Sequence, residues 1–312
     1  MSSSLPILAI VGPTGSGKSG IGVELALALR EAGHAAEIVS ADAMQLYTGM
    51  DIGTAKVTKE EMKGVPHHLL DVWDPSTEAS VQDYQERARA AINECFSRGV
   101  IPIVVGGSGL YISSVLYNFE FPGTNEHIRQ RLESELESDG LSALASRLVE
   151  KDPEAATEVD LNNPRRVVRA LEVIEITGEP ITPGLRARGE LWHQPTVIVG
   201  IEWARDALIE RIDQRVDLMW SRGLVDEVKS LSESAHGLGK TAAQAIGYRE
   251  VLDALAGESS EVEAKELVAQ HTRRYARKQM SWFRRDGAIY WIDGARSDIV
   301  ATIQGLLATH HQ

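Results

Sequence analysis

Short apolar runs alternate with amphipathic stretches along the first third of the chain. Residues 5–11 form a continuous apolar run, 20–30 repeat apolar residues at helical spacing, and 36–40 form a second apolar run. Residues 67–72 read as a third strand. Residues 80–98 read as a helix, opened by Ser80 with Asp83 in a capping-box arrangement and stopped by Gly99. A strand over 101–105 and a short helix after Gly109 follow. Strands that are apolar on both faces and separated by helices belong to parallel sheets covered on both sides. From Pro122 to about Leu191 the pattern is helical only: 125–138, 141–151, a short turn opened by Asp152-Pro153, and 164–177 closed by Gly178. Residues 196–201 return to a strand. An amphipathic helix over 205–222 then carries Leu208, Ile212, Val216 and Met219 on one face. Two further helices follow, the second containing 244–250, then a long helix over 262–285, a strand over 288–292 and a terminal helix. The expected fold class is α/β, a parallel sheet flanked by helices with an inserted all-helical subdomain. The expected boundaries are 1–121 for the first part of the core, 122–191 for the insertion and 192–312 for the continuation.

Chemistry enters at the end of the first strand. Gly12-Pro13-Thr14-Gly15-Ser16-Gly17-Lys18-Ser19 fits G-x-x-x-x-G-K-[ST], with a strand before it and a helix after it. Glycines let backbone N–H groups turn inward around an anion, and the helix starting near Lys18 adds its positive end. Lys18 supplies a point charge and Ser19 a hydroxyl suited to Mg²⁺. The core is therefore expected to be P-loop NTPase-like. The second strand ends at Asp42 and the fourth at Gly106-Gly107-Ser108. Ligands of open parallel sheets bind at the carboxyl ends of strands, so these three segments are expected to surround one cleft. The stretch 42–56 has no clean period, yet contains Met44, Leu46, Tyr47, Met50 and Ile52; a loop of this kind in a compact domain is functional or disordered, and its apolar residues favour order. Arg215 borders the apolar face of its helix and either snorkels or points into a cleft.

The chain has 312 residues, 43% apolar and 25% charged, a globular composition. Its formal net charge of −13 disfavours non-specific nucleic-acid binding, so any such binding needs a local basic patch. The helix over 262–285 offers one: Arg273, Arg274, Arg277, Lys278, Arg284 and Arg285, with no acid between Thr272 and Arg285. Six cations without a local counter-charge favour a phosphate-rich partner over a solvated face. The single cysteine, Cys95, cannot form an internal disulfide and reads as a small core residue. His67 and His68 are adjacent and point to opposite faces of a strand, which argues against a shared metal. The N-terminal apolar run is too short for a signal peptide or a membrane span, and a cytoplasmic location with no membrane partner is expected.

Taken in order, the P-loop, 42–56, Pro66-His67-His68-Leu69-Leu70-Asp71, Gly106-Gly107-Ser108-Gly109-Leu110-Tyr111, Asn163-Pro164-Arg165-Arg166-Val167, 244–250 and 272–285 resemble the bacterial tRNA dimethylallyltransferase (tRNA isopentenyltransferase) family over nearly the whole chain. Two departures are visible: Gly15 stands where the family usually has Ala, and Ser108 where it usually has Thr. The resemblance implies transfer of a dimethylallyl group from dimethylallyl diphosphate to N6 of the adenosine 3′ of the anticodon in tRNA. It implies that Gly12, Thr14, Gly15, Ser16, Gly17, Lys18 and Ser19 hold the leaving diphosphate, with Mg²⁺ on Ser19, and that Asp42, Ser108 and Arg215 are catalytic. It further implies that Asp42, Gln45, Arg165, Arg166, Gln244, Arg249, Arg273, Arg274, Arg277 and Lys278 meet the tRNA anticodon stem-loop. A monomer is expected. Rival readings are a small-molecule or nucleotide kinase, prenylation of free adenine nucleotides, and an ATP-dependent RNA-binding module. The basic helix counts against the kinase. The lack of an obvious Walker B carboxylate counts modestly against an ATPase.

Overall fold

The computed structural model describes residues 5–118, 121–181 and 189–310. The chain divides into two compact units, Met1–Leu116 with Leu191–Gln312, and Tyr117–Glu190. The first is built on six parallel strands: β1 (Ile7–Val11), β2 (Ala36–Ser40), β3 (His67–His68), β4 (Ile101–Gly106), β5 (Thr196–Glu202) and β6 (Ile289–Asp293). Their order across the sheet is β3-β2-β4-β1-β5-β6. β1 pairs with β4 and β5, setting Val11 beside Gly106 and Gly200, so the strand ends that carry the glycine-rich loops lie side by side. Every residue of β1, β2 and β4 is buried, as expected of strands covered on both faces.

Helices α1 (Lys18–Glu31) and α2 (Val81–Ser97) follow β1 and β3, and the short α3 (Gly109–Leu116) follows β4. Ser80 caps α2 by accepting from the Asp83 N–H. One face of the sheet packs Leu8, Ile10, Ile38, Ile103, Val105 and Val199 against Val23, Leu25 and Leu29 of α1. Gly106 is required by close approach: a Cβ there would lie 2.2 Å from the Ala41 carbonyl oxygen. The end of β4 is thereby pressed against the end of β2, where Asp42 begins. After β5 come α8 (Arg205–Ser221), α9 (Leu224–Ser232), α10 (Lys240–Ala243), α11 (Tyr248–Leu255), α12 (Glu261–Phe283) and, beyond β6, the terminal helix Ile299–His310.

The second unit is helical: α4 (Glu126–Asp139), α5 (Leu141–Lys151), α6 (Ala155–Glu158) and α7 (Pro164–Thr177). Its core packs Leu132, Leu144, Leu148, Val167 and Leu171. Asn125 and Asn163 cap α4 and α7, with Pro164 opening α7. Glu172 is fully buried and accepts from Arg129, Arg169 and the Asn125 N–H. Burial pushes its carboxyl up, and these donors more than reverse that.

Two local expectations differ from what forms. β3 ends after His68, because Leu69 and Asp71 take left-handed φ values of 62° and 55° that end the strand. Residues 244–250 do not form one helix: α10 stops before Gln244, and Gly247 at φ 97° turns the chain into α11. No helix among the described residues is long and apolar enough to cross a membrane.

Candidate active site

The loops after β1, β2 and β4 line one cavity of about 370 Å³, together with residues of α8 and α12. Thr14, Lys18 and Ser19 come from the first loop, Asp42, Met44 and Gln45 from the second, and Gly106, Gly107 and Ser108 from the third. Val216, Met219, Ile246 and Val268 supply an apolar wall.

Gly15 and Gly17 hold φ values of 82° and 87°, a conformation that glycine alone adopts at little cost. Gly17 is the N-cap of α1, so the start of that helix opens on the loop. The Ser16 Oγ is buried and has no hydrogen-bond partner among the described residues. The Lys18 ammonium donates to the Pro13 carbonyl at 2.7 Å. Its pKa is lowered to about 7, mainly by burial, with Asp42 opposing the change and Arg215 adding to it. Arg215 projects from α8 and donates through one Nη to the Thr54 carbonyl at 3.1 Å, while its buried Nε has no acceptor among the described residues. Burial lowers this guanidinium's pKa as well, and Asp42 opposes the change. Two desolvated cations on one cavity, with two unsatisfied polar atoms nearby, make a receptor for a multiply charged anion.

Asp42 follows β2, and its Oδ1 accepts from the Met44 N–H at 2.9 Å, which fixes the carboxylate at the turn. Ser108 does not bond to it directly. The Ser108 Oγ accepts from the Ala43 N–H at 3.3 Å and lies 3.5 Å from the Tyr275 hydroxyl, steadying the residue next to Asp42. Burial and the nearby Asp42 carboxylate push the Tyr275 phenol up.

The aperiodic stretch 42–56 is ordered by contacts from far along the chain. Glu227 of α9 accepts from the N–H groups of Asp51, Ile52 and Gly53, and from the Tyr248 hydroxyl. Lys56 bonds to Asp51, Asp71 and the Tyr47 carbonyl. Gln45 is buried, its amide nitrogen donating to Thr54 and Ala55 carbonyls at 3.2 and 3.4 Å and its oxygen accepting from Ser40. Its side-chain amide is thus committed within the loop that lines the cavity.

The remaining sequence candidates are dispersed. Gln244 is exposed and lines the cavity; Arg249 is exposed and sits 3.9 Å from Asp253. Arg165 and Arg166 are exposed residues of the helical unit. On α12, the expected absence of counter-charge holds for only part of the set. Arg273 pairs with Asp213 of α8 at 3.4 Å, and Arg284 with Glu202 of β5 at 3.5 Å. Arg274, Arg277 and Lys278 are exposed and pair with no carboxylate among the described residues.

The sequence reading missed Gln279. It accepts from the Thr14 N–H at 2.8 Å and donates to the Gly107 carbonyl at 2.8 Å, joining two loops of the cavity to α12. Thr272, Tyr275 and Gln279 recur at helical spacing beside buried Val268 and Ala276, a polar stripe on a core-facing side that could have flagged them.

Among the described residues, one other group brings possible ion ligands together. Glu37, His68 and Cys95 bring three ligand atoms within 4.8 Å of one another. Arg98 already binds both Glu37 oxygens at 2.7 Å, His68 Nε2 lies 2.7 Å from Glu37, and burial pushes the Cys95 thiol up to about 12. The group is a closed polar network around one carboxylate rather than a metal centre.

Residues 45–286 match the family model described as IPP transferase. This chain belongs to the IPP transferase family. It is 51% identical over 304 residues to a tRNA dimethylallyltransferase of Thermobifida fusca, covering 97% of this chain and 95% of that one. It is 52% identical over 301 residues to a tRNA dimethylallyltransferase of Streptomyces coelicolor, covering 96% and 94%. Among solved structures, it is similar to the full-length tRNA isopentenylpyrophosphate transferase of Bacillus halodurans, with TM-score 0.71, 40% identity and coverage of 98% and 96%. It is also similar to a eukaryotic dimethylallyltransferase described as acting on tRNA, with TM-score 0.79, 28% identity and coverage of 97% and 78%.

Proposed function

We propose that this IPP transferase family member transfers a dimethylallyl group from dimethylallyl diphosphate to N6 of the adenosine 3′ of the anticodon in tRNA, releasing diphosphate. The observation that carries the reading is the grouping of Lys18, Arg215 and Asp42 on one cavity that also has an apolar wall. A diphosphate ester with a branched hydrocarbon tail matches both halves, and the relatives named above carry that activity in their names.

The P-loop residues Gly12, Thr14, Gly15, Ser16, Gly17, Lys18 and Ser19 hold the diphosphate, and Lys18 and Arg215 stabilise the charge that builds on it as the carbon–oxygen bond breaks. N6 bonds to the freed allylic carbon, and its proton passes to the Asp42 carboxylate. Ser108 keeps the Asp42 turn in place through the Ala43 N–H. The Ser19 hydroxyl, a hard oxygen donor on the same cavity, would hold Mg²⁺ beside the diphosphate. Mg²⁺ held there would supply charge neutralisation to the leaving group. Arg274, Arg277 and Lys278 of α12, with Arg165 and Arg166 of the helical unit, offer charge to the stem-loop backbone. The adenosine is extruded from its stack to reach the cavity.

Asp42→Ala is expected to lower turnover by about 10²–10⁴-fold while leaving tRNA affinity nearly unchanged. Retention of near-normal turnover would remove Asp42 from the base role. Incubation of the wild type with dimethylallyl diphosphate and either tRNA or AMP tests the acceptor, and prenylation of AMP alone would favour a free-nucleotide enzyme.

A further inference from the structure

Arg211 and Trp203 lie outside the cavity lining, on the outer side of the P-loop. The Arg211 Nε donates to the Gly15 carbonyl at 2.8 Å, and the Trp203 Nε1 donates to the Ser16 carbonyl at 3.1 Å. The Arg211 guanidinium lies over the Trp203 ring, 4.2 Å from its centroid. The two side chains therefore brace each other and hold two consecutive carbonyls.

In a planar trans peptide the carbonyl and the N–H of the next residue point in opposite directions. Tying back the Gly15 and Ser16 carbonyls thus turns the N–H groups of Ser16 and Gly17 toward the opposite side of the loop, the side on which the diphosphate reading places the anion. The Ser16 N–H makes only a 3.3 Å contact with the Pro13 carbonyl, the same oxygen that holds Lys18 Nζ at 2.7 Å. A single carbonyl oxygen thus serves two donors that a diphosphate would otherwise engage. Trp203 is itself wedged in place: a Cβ on Gly294 would lie 2.0 Å from its Nε1.

We propose that Arg211 and Trp203 are positioning residues that keep the P-loop peptides aimed at the diphosphate, acting through the loop backbone and not on the substrate itself. The proposal rests on reading the loop as a diphosphate cradle. It assigns to the Arg211 side chain a share of donor-substrate affinity that its distance from the cavity lining does not announce. Lysine cannot substitute, because a flexible ammonium cannot lie flat on the indole and also direct a fixed N–H at the Gly15 carbonyl.

The test measures steady-state kinetics of Arg211→Ala, Arg211→Lys and Trp203→Phe with dimethylallyl diphosphate and tRNA varied separately. Calorimetric titration of inorganic diphosphate and melting temperatures are recorded in parallel. Arg211→Ala is expected to raise KM for dimethylallyl diphosphate about ten-fold or more, the worth of a charge-assisted hydrogen bond, with KM for tRNA unchanged and a smaller effect on kcat. Arg211→Lys fails to restore it. Trp203→Phe, which keeps a ring under the guanidinium and loses the N–H, moves KM the same way by less. An unchanged donor KM at native melting temperature overturns the proposal, and so does an equal rise in both KM values. If the wild type uses a different donor, the functional reading fails; the diphosphate titrations of wild type and variants still decide the clamp.

Discussion

Lys18 is the residue on which most of the site's electrostatics turns. Its ammonium is held near a pKa of about 7 by burial, with Asp42 and Arg215 pulling in opposite directions. Free protein above that pH carries Lys18 largely neutral, and an arriving diphosphate restores its charge. Binding at about pH 8 is therefore expected to take up to about one proton more in the wild type than in Lys18→Ala. The difference should vanish well below pH 7, where Lys18 is already charged, and affinity should weaken as pH rises above it. Calorimetry in two buffers of different protonation enthalpy measures the uptake; equal proton counts for the two proteins would show that Lys18 does not change its charge on binding. Gly15 carries a lesson at the same scale. The departure from the family's usual Ala looks harmless in sequence, yet this glycine sits at φ 82° with Ile212 Cγ1 3.2 Å from where a Cβ would be. An alanine there is strained in this chain.

At the scale of elements, β2 and α2 are joined by the Glu37 network. The Arg98 hydrogen bonds hold the Glu37 carboxyl down to about 2 against the opposing effect of burial, with His68 adding to the shift. A carboxylate with a depressed folded pKa stabilises the fold fully above its unfolded value of 4.5, and that contribution is lost as pH falls from there toward about 2. Arg98→Ala should consequently move the acid-unfolding midpoint to higher pH, as followed by circular dichroism, and an unmoved midpoint would mean that His68 alone suffices. The strands and most helices were legible in the sequence because they depend on local pattern: continuous apolar runs, the Ser80 cap, and stops at Gly99 and Gly178. The stretch 42–56 was legible only as unusual. Its order comes from Glu227 and Tyr248, and nothing in a local pattern says that one carboxylate will collect three N–H groups from a distant loop. The turn at Gly247 was misread for a related reason, since a single glycine inside a helical pattern does not announce a positive φ.

For the whole molecule, a net charge of −13 means that attraction to a polyanion must be local and strongly screened by salt. The basic helix looked like six equivalent cations, but Asp213 and Glu202, contributed by other elements, already hold Arg273 and Arg284. Long-range ion pairs of this kind are invisible to spacing rules, which see only neighbours at three or four residues. Arg274 and Lys278 remain open, so changing both to Ala should flatten the log–log salt dependence of anticodon stem-loop affinity by roughly 0.7–0.9 per lost phosphate contact. Affinity for dimethylallyl diphosphate should stay the same, and a salt titration showing an unaltered slope would leave the helical unit as the remaining source of charge. The closed network around Glu37 has a practical corollary. Cys95 is the chain's single cysteine, fully buried, with its thiol pushed up to about 12. The thiolate that alkylating reagents and oxidants attack is therefore scarcely populated at neutral pH. A new cysteine on the exposed face of α12 would be the one reactive thiol, and the unmodified chain serves as its own unlabelled background for thiol-directed fluorescent or spin probes.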